Sequence, residues 1–344
     1  MSLNENLHEA RRQKNDDFYT QLSDIENELR HYTGHFRGKV VYCNCDDPRV
    51  SNFFHYFSYN FERLDLKKLV TACYKNQNRD LFSFHDSERA IWLEYNGNTK
   101  GGRVPDVEDI GIYEFRGDGD FRSAESIKLL KQADIVVTNP PFSLFREYVA
   151  QLVEYGKKFL IIGNQNAITY KELFPLIREN KIWLDPSIKS GDREFGVPKH
   201  YPLTAATNRI DEDGNKFVRV KGVRWFTNLD YPQRHENLIL YKQYSPEEYP
   251  AYDNYNAINV DKTAEIPKDW DGAMGVPITF LDKHNPEQFE VLGITDRDNN
   301  SGLKTKEYTS ADVPNFGNLN RRGVIKVGDH YKPTYVRLLV RRVQ

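Results

Sequence analysis

Ala133-Asp134-Ile135-Val136-Val137-Thr138-Asn139-Pro140-Pro141-Phe142 is the stretch that decides the fold. Ile135 to Thr138 is a short run of apolar and β-branched residues. It reads as a strand buried on both faces, the kind found inside a parallel sheet. The two prolines end it, because neither has an N–H for the ladder and each pushes the residue before it towards extended backbone. A helical pattern (Leu144 to Tyr155) follows, and then a second apolar run, Lys158-Phe159-Leu160-Ile161-Ile162. Apolar strands separated by helices predict an α/β sheet covered on both faces.

Working outwards, a helix over Ser123 to Gln132 leads into this strand. Gly38-Lys39-Val40-Val41-Tyr42-Cys43 and Leu69-Val70-Thr71-Ala72-Cys73-Tyr74 supply two more buried strands. Asp109 to Phe115 alternates and is a candidate third. Phe53 to Phe57 has helical spacing. Asn4 to Tyr32 reads as polar helix broken near Asp16 to Thr20, with Ser23 and Glu26 spaced as a capping box for Asp24 to His31. Asp211-Glu212-Asp213-Gly214 has the composition of a hairpin tip. Gly222 to Thr227 and Asn237 to Tyr241 are expected as late strands completing the sheet. From about Ser245 the chain becomes rich in Tyr, Asn and Pro. The expected division is therefore a larger α/β domain over residues 1–245 and a smaller, mostly β or irregular region over 246–344.

The chain has 344 residues, of which 28% are charged and 13% aromatic. Its 21 Tyr, 20 Phe and 4 Trp provide enough apolar area for a packed core, which excludes a disordered chain. No apolar run reaches the roughly 18 residues of a membrane span. The charged first thirty residues hold no secretory signal core. Three cysteines are too few for a disulfide framework or a Cys-only zinc site. A cytoplasmic protein without a metal is expected. No Gly-x-Gly-x-x-Gly, P-loop, His-Glu-x-x-His or Gly-x-Ser-x-Gly occurs, so dinucleotide, nucleoside-triphosphate, zincin and esterase readings lack a motif.

In open parallel sheets, ligands sit beyond the carboxyl ends of the strands, which is where Asn139-Pro140-Pro141-Phe142 stands. The Asn139 amide and the Pro140 carbonyl can present two acceptors to one pocket. Pro141 keeps the backbone extended, and Phe142 can lie flat over a planar group. That suits an exocyclic amine. The N6 lone pair of adenine is delocalised into its ring, and acceptors on both N6 hydrogens favour a tetrahedral, nucleophilic nitrogen. The proton can leave after transfer, so no general base is required beforehand. The plainer reading is a rigid strand-to-helix turn.

With these residues in place, the sequence resembles the S-adenosylmethionine-dependent N6-adenine DNA methyltransferases, and within them the EcoRI-type adenine-specific family. Three segments carry the resemblance: Asn15 to Gln21, containing Phe18-Tyr19-Thr20; Val41 to Pro48, followed by Ser51-Asn52-Phe53; and Thr138 to Ser143. The resemblance implies a Rossmann-like methyltransferase fold, S-adenosyl-L-methionine as cofactor and adenine in double-stranded DNA as substrate. It also raises a restriction endonuclease of the same host as a partner. Phe18, Tyr19 and Thr20 are then expected against the methionine part of the cofactor, with Asn139, Pro140, Pro141 and Phe142 as the catalytic motif.

Two departures from the wider class stand out. Where most such enzymes have a Gly-rich loop after the first strand, this chain has Cys43-Asn44-Cys45-Asp46-Asp47-Pro48. Cys43, Asn44, Asp46 and Asp47 are its candidate cofactor contacts, and helix capping is the alternative for either Asp. After the second strand, Thr71-Ala72-Cys73-Tyr74-Lys75 offers no acidic ligand for the ribose. Gly117-Asp118-Gly119-Asp120-Phe121 fits the third-strand position. Asp118 or, preferably, Asp120 would accept from the cofactor's adenine amino group, and Phe121 would pack on that ring; a surface turn is the alternative. Gly163-Asn164-Gln165-Asn166 either lines the pocket rim or caps a helix near Tyr170.

The net charge of −2 hides an asymmetry. The last 44 residues hold nine basic residues against three acidic ones, a surplus of six, so the preceding 300 carry −8. Arg321, Arg322, Lys326 and Lys332, interleaved with Phe316, Tyr331 and Tyr335, are candidate phosphate contacts. An adenine inside a duplex cannot reach a buried pocket, so base flipping is implied. Two other readings share these residues: a non-catalytic DNA-binding or anti-restriction protein on the same scaffold, and an RNA or protein N-methyltransferase using the same motif.

Overall fold

In the computed structural model, the described residues are 18–45, 47–74, 90–97, 105, 107–189, 191–197, 201–203, 208–296, 298–313 and 316–343. Two compact units emerge: Met1–Gln165 with Ser187–Leu229, and Asn166–Pro186 with Asp230–Gln344. The 245/246 boundary expected from composition falls sixteen residues inside the second. Asn4 to Asp17 lies outside the described residues.

The apolar runs of the first unit become neighbouring strands of one mixed sheet. These are β1 (Val40–Asn44), β2 (Lys68–Cys73), β3 (Ile91–Tyr95), β4 (Tyr113–Glu114), β5 (Ile135–Thr138), β6 (Lys158–Asn164) and β7 (Val223–Thr227). Their spatial order is β4-β3-β2-β1-β5-β6-β7. The pairs β2·β1, β1·β5 and β5·β6 are parallel, while β3·β2, β4·β3 and β6·β7 are antiparallel. The core follows this division. Every residue of β1 and β5 is buried, as strands flanked on both sides require. In antiparallel β3, Ile91, Leu93 and Tyr95 are buried and Trp92 and Glu94 only partly so. The turn signal at Asp211–Gly214 does join an antiparallel pair, Arg209–Ile210 with Lys216–Val220, in a second small sheet. In that sheet Tyr19–Thr20 pairs with Phe195 and Gly196.

Three local expectations are corrected. Asp109 to Phe115 does not form one strand. Val107–Ile110 is a helical turn, Gly111 at φ +91° breaks the extended path, and only Tyr113–Glu114 pairs. The helix after Thr20 starts at Leu22 with Gln21 at its N-cap and no side-chain cap bond, so Ser23 lies inside it. Burial of Ile25 and Leu29 at i, i+4 outweighs the capping box there. Asn237 to Tyr241 is not a strand. The Gln288 side chain accepts from the Leu238 N–H at 2.7 Å and donates to the Leu238 carbonyl at 2.9 Å, bonds a strand neighbour would otherwise make. Ile239 is consequently 89% exposed.

The second unit is built on a four-stranded sheet and a hairpin. Its strands are β8 (Ile258–Asn259), β9 (Met274–Pro277), β10 (Phe289–Ile294), β11 (Val324–Val327), β12 (His330–Pro333) and β13 (Arg337–Arg342). The order β8-β9-β13-β10 makes the sheet, with a bulge at Val291/Gly293 where β10 meets β13, and β11 pairs only with β12. Val276, Phe280, Phe289, Ile294, Leu338, Leu339 and Val340 are fully buried in this unit.

Candidate functional site

The chemistry-bearing residues of the first unit collect at the carboxyl ends of β1, β2 and β5. β5 stops where its backbone meets Pro140 and Pro141. Pro141 is extended (φ −53°, ψ 126°), and a 3₁₀ turn, Phe142–Leu144, closes with the Leu144 N–H on the Pro141 carbonyl at 3.0 Å. The helix Phe145–Glu154 then turns back along the sheet. Asn139 is left at the strand end, 9% exposed. Its Nδ2 donates to the Phe18 carbonyl at 2.8 Å. Spending the amide's donor end on a backbone carbonyl makes Oδ1 the end that can accept from a ligand.

An aromatic enclosure surrounds Phe18. Its ring lies 5.8 Å from Phe142, 5.7 Å from Phe195 and 6.3 Å from Tyr201, all tilted. Phe142 thus packs at a tilt beside Phe18 instead of standing alone as a flat platform. Phe195 and Tyr201 were not singled out in the sequence, since only the pairing of Tyr19–Thr20 with Phe195 and Gly196 brings them here. Thr20 is 3% exposed, its Oγ1 finds no hydrogen-bond partner among the described residues, and its carbonyl accepts from Asn52 Nδ2 at 2.7 Å. Tyr19 is half-buried.

The loop after β1 contains Cys45 at φ +69°, a left-handed conformation at a position that glycine would occupy more easily. Asn44 is buried and tied from both ends. Its carbonyl accepts from Thr138 Oγ1, and its Oδ1 accepts from the Tyr148 hydroxyl. Tyr148 is fully buried on the inner face of the helix Phe145–Glu154, and the sequence did not single it out. Cys43 is buried within β1. Asp46 lies outside the described residues. Asp47 does not cap the next helix. Ser51 is the N-cap, with Oγ accepting from Phe54 N–H, while the Asp47 carboxylate accepts from the Arg49 N–H at 3.0 Å and Nε at 2.9 Å.

Asp118 to Phe121 is drawn against the end of β2 by one close approach. A Cβ on Gly119, at φ +74°, would lie 2.9 Å from the Cys73 carbonyl oxygen and 2.7 Å from Ala90 Cβ. Asp118 is exposed and its Oδ1 accepts from the Asp120 N–H. Both oxygens of Asp120 engage Arg122, at 2.9 and 2.7 Å, and Arg122 reaches on to Glu147 at 2.8 Å. The guanidinium holds the Asp120 carboxyl below its ordinary range despite partial burial. Phe121 is 7% exposed, packs edge-on against Tyr148 at 5.1 Å, and its carbonyl accepts from Gln151 Nε2. Asn164 donates to the Lys221 carbonyl at 3.1 Å.

In the second unit the nine C-terminal cations separate into two groups. Lys304 meets Glu307, Lys306 meets Asp253 and Asp312, Arg337 meets Asp261, Arg341 meets Glu290, and Arg342 donates to the Lys268 carbonyl. Arg321, Arg322, Lys326 and Lys332 form no ion pair among the described residues. Lys326 lies over the Tyr331 ring at 5.3 Å. Among the described residues there is no group of three or more His, Cys, Asp or Glu fit to hold a metal ion, and no helix long and apolar enough to cross a membrane.

The family described as adenine-specific methyltransferase EcoRI matches residues 6–343. The chain is 54% identical over 303 residues to the Type II methyltransferase M.EcoRI of Escherichia coli, covering 86% of this chain and 92% of that protein. It is 35% identical over 342 residues to the Type II methyltransferase M.MgeORF184P of Mycoplasma genitalium, covering 97% and 98%. It is 40% identical over 287 residues to the Type II methyltransferase M.MpnI of Mycoplasma pneumoniae, covering 82% and 83%. No solved structure matches it.

Proposed function

The chain belongs to the EcoRI family of adenine-specific methyltransferases, and from that premise we propose that it transfers a methyl group from S-adenosyl-L-methionine to N6 of an adenine flipped out of duplex DNA. One observation carries the assignment of the site. Asn139 stands at the end of β5 with its donor end already used on Phe18, so its Oδ1 is the acceptor for one N6 hydrogen. The Pro140 carbonyl is the acceptor for the other. Removing density from the two N–H bonds concentrates the lone pair on nitrogen. Phe142, held against Phe18, closes the pocket wall beside the base.

The residues of the first unit fit the cofactor. Thr20 Oγ1 is a buried hydroxyl in need of a partner, which suits the polar methionine end, and Phe18 and Tyr19 flank it. Cys43 and Asn44 define the end of β1, and Asp46 and Asp47 follow. Asp120, with Asp118 beside it, supplies the carboxylate for an amino group, and Phe121 the apolar wall. The bound cofactor supplies an electrophilic methyl on a sulfonium. The chain's residues hold the amine in line with it and keep water away. The parallel β2-β1-β5-β6 core with ligand residues at its carboxyl ends supports a Rossmann-like arrangement.

In this reading the first unit, within residues 1–245, transfers the methyl group. The second unit, which contains 246–344, finds the adenine, with Arg321, Arg322, Lys326 and Lys332 against the duplex. The Type II names of its relatives support a restriction endonuclease of matching specificity as a partner in the same cytoplasm. Incubation with labelled S-adenosylmethionine and mixed-sequence duplex DNA should yield N6-methyladenine. Label that appears in RNA or polypeptide and never in duplex DNA would reject the proposal.

A further inference from the structure

The hairpin β11–β12 is a two-stranded sheet of its own. Its register pairs Val324 with Pro333, Ile325 with Lys332, Lys326 with Tyr331 and Val327 with His330. Side chains alternate between the faces of a strand, so Val324, Lys326, Tyr331 and Pro333 share one face, and Ile325, Val327, His330 and Lys332 the other. The first face is seated. Val324 is fully buried with Tyr308 and Leu319, and Tyr331 packs on that cluster. On the second face only Ile325, at the root, is packed, against the cluster of Tyr252, Tyr255, Ala257 and Leu339. Beyond it Val327 is 66% exposed, and His330 and Lys332 are exposed too.

An isolated two-stranded ribbon is marginal in water. This one is held by its seated face, which leaves the other available to a partner. Charge identifies that partner. Five C-terminal cations make no ion pair among the described residues. Arg342 is spent on the Lys268 carbonyl, and the other four are on the ribbon or immediately before it: Lys326 and Lys332 on its strands, Arg321 and Arg322 at its root. The partner is therefore a polyanion. The major groove of B-form DNA admits a two-stranded β-ribbon, whereas that of A-form RNA is too narrow for side chains to read.

We propose that the open face of this ribbon, carrying Val327, His330 and Lys332, enters the major groove of duplex DNA and reads the bases around the target adenine. The proposal rests on the duplex-DNA reading above. Each side chain has a matching base edge. The Lys332 ammonium donates to guanine O6 and N7, the Val327 methyls meet a thymine methyl, and the His330 ring offers a donor and an acceptor to a purine edge. Lys326 and the root arginines are left for phosphates, which position the ribbon without carrying sequence information.

The test maps N6-methyladenine across a random-sequence duplex library for the full-length protein and for Val327→Ala, His330→Ala and Lys332→Gln. All three positions are exposed, so their thermal unfolding should match the parent. The expected result is a relaxed preference, by about tenfold at one or two flanking positions for each variant. Lys326→Gln should instead weaken methylation of all sequences alike and flatten its salt dependence. Wild-type protein that methylates a defined duplex sequence while all three variants keep that preference unchanged overturns the ribbon proposal alone. Wild-type protein that labels RNA and no duplex DNA overturns the duplex reading, and this proposal with it.

Discussion

Asn139 and Lys332 are both polar residues proposed to meet a ligand, and their surroundings are opposite. Asn139 is 9% exposed at the end of a fully buried strand, and half of its amide is bonded before any substrate arrives. Nearby Asn44, Thr138 and Tyr148 tie one another down inside the sheet. Lys332 lies on an open ribbon face, exposed and without an acidic partner among the described residues. The contrast follows from what each site must do. Lowering a reaction barrier needs dipoles fixed in a water-poor pocket, because reorganising them during reaction would forfeit the gain. Gripping a duplex needs cations that release counterions on contact, so pairing them internally would remove the driving force.

Breaking the buried side should have the largest effect. Asn139→Ala is expected to lower methyl transfer by about a thousandfold or more, while cofactor binding measured by calorimetry stays within a few-fold of the parent. Retained turnover would move the acceptor elsewhere.

The next effect belongs to the core of the second unit. Burial pushes the His284 imidazole down to about 4, although its Nε2 bonds the Phe289 carbonyl at 2.9 Å. Below its ordinary pKa of 6.5 the unfolded chain takes up a proton that the folded one refuses until about 4. Stability is therefore unaffected at neutral pH and falls as pH drops through 6.5 towards 4, by about 2–3 kcal/mol between pH 7.5 and 4.5. Urea unfolding at the two pH values checks this, and His284→Gln should remove that part of the slope.

Thr20→Val keeps the side-chain shape and removes the hydroxyl that lacks a partner among the described residues. It should weaken S-adenosylmethionine binding by about tenfold without destabilising the protein, since no internal bond is lost. Unchanged affinity would detach Thr20 from the cofactor. The smallest change is expected at the ribbon root. Arg321→Gln and Arg322→Gln should each reduce the slope of log affinity for DNA against log salt by about 0.9, alike for every sequence. A sequence-dependent loss would make them base readers and erase the distinction drawn between root and open face.

Legibility differed between the same two regions. β1, β2, β5, β6 and β7 were visible as runs dominated by apolar residues because a strand flanked on both sides buries nearly every side chain, and the prolines after Thr138 marked where the candidate site begins. Asp109 to Phe115 and Asn237 to Tyr241 misled because local alternation is only a tendency. Gly111 broke the first, and the distant amide of Gln288 took the backbone bonds of the second. Tyr148, Phe195 and Tyr201 gave no local signal as site residues at all.

The sequence by itself singled out the candidate chemistry: the Asn-Pro-Pro-Phe after a buried strand, the early Phe-Tyr-Thr, and the basic surplus of the last 44 residues. These are local patterns, set by which residues can end a strand, enter a pocket or carry charge. Tertiary structure alone decided which end of the Asn139 amide accepts, because Phe18 is 121 residues away in the chain. It also decided which four of nine C-terminal cations remain for a partner, because ion pairing depends on which carboxylates folding brings within reach, and Asp253, Asp261 and Glu290 lie dozens of residues from the cations they meet.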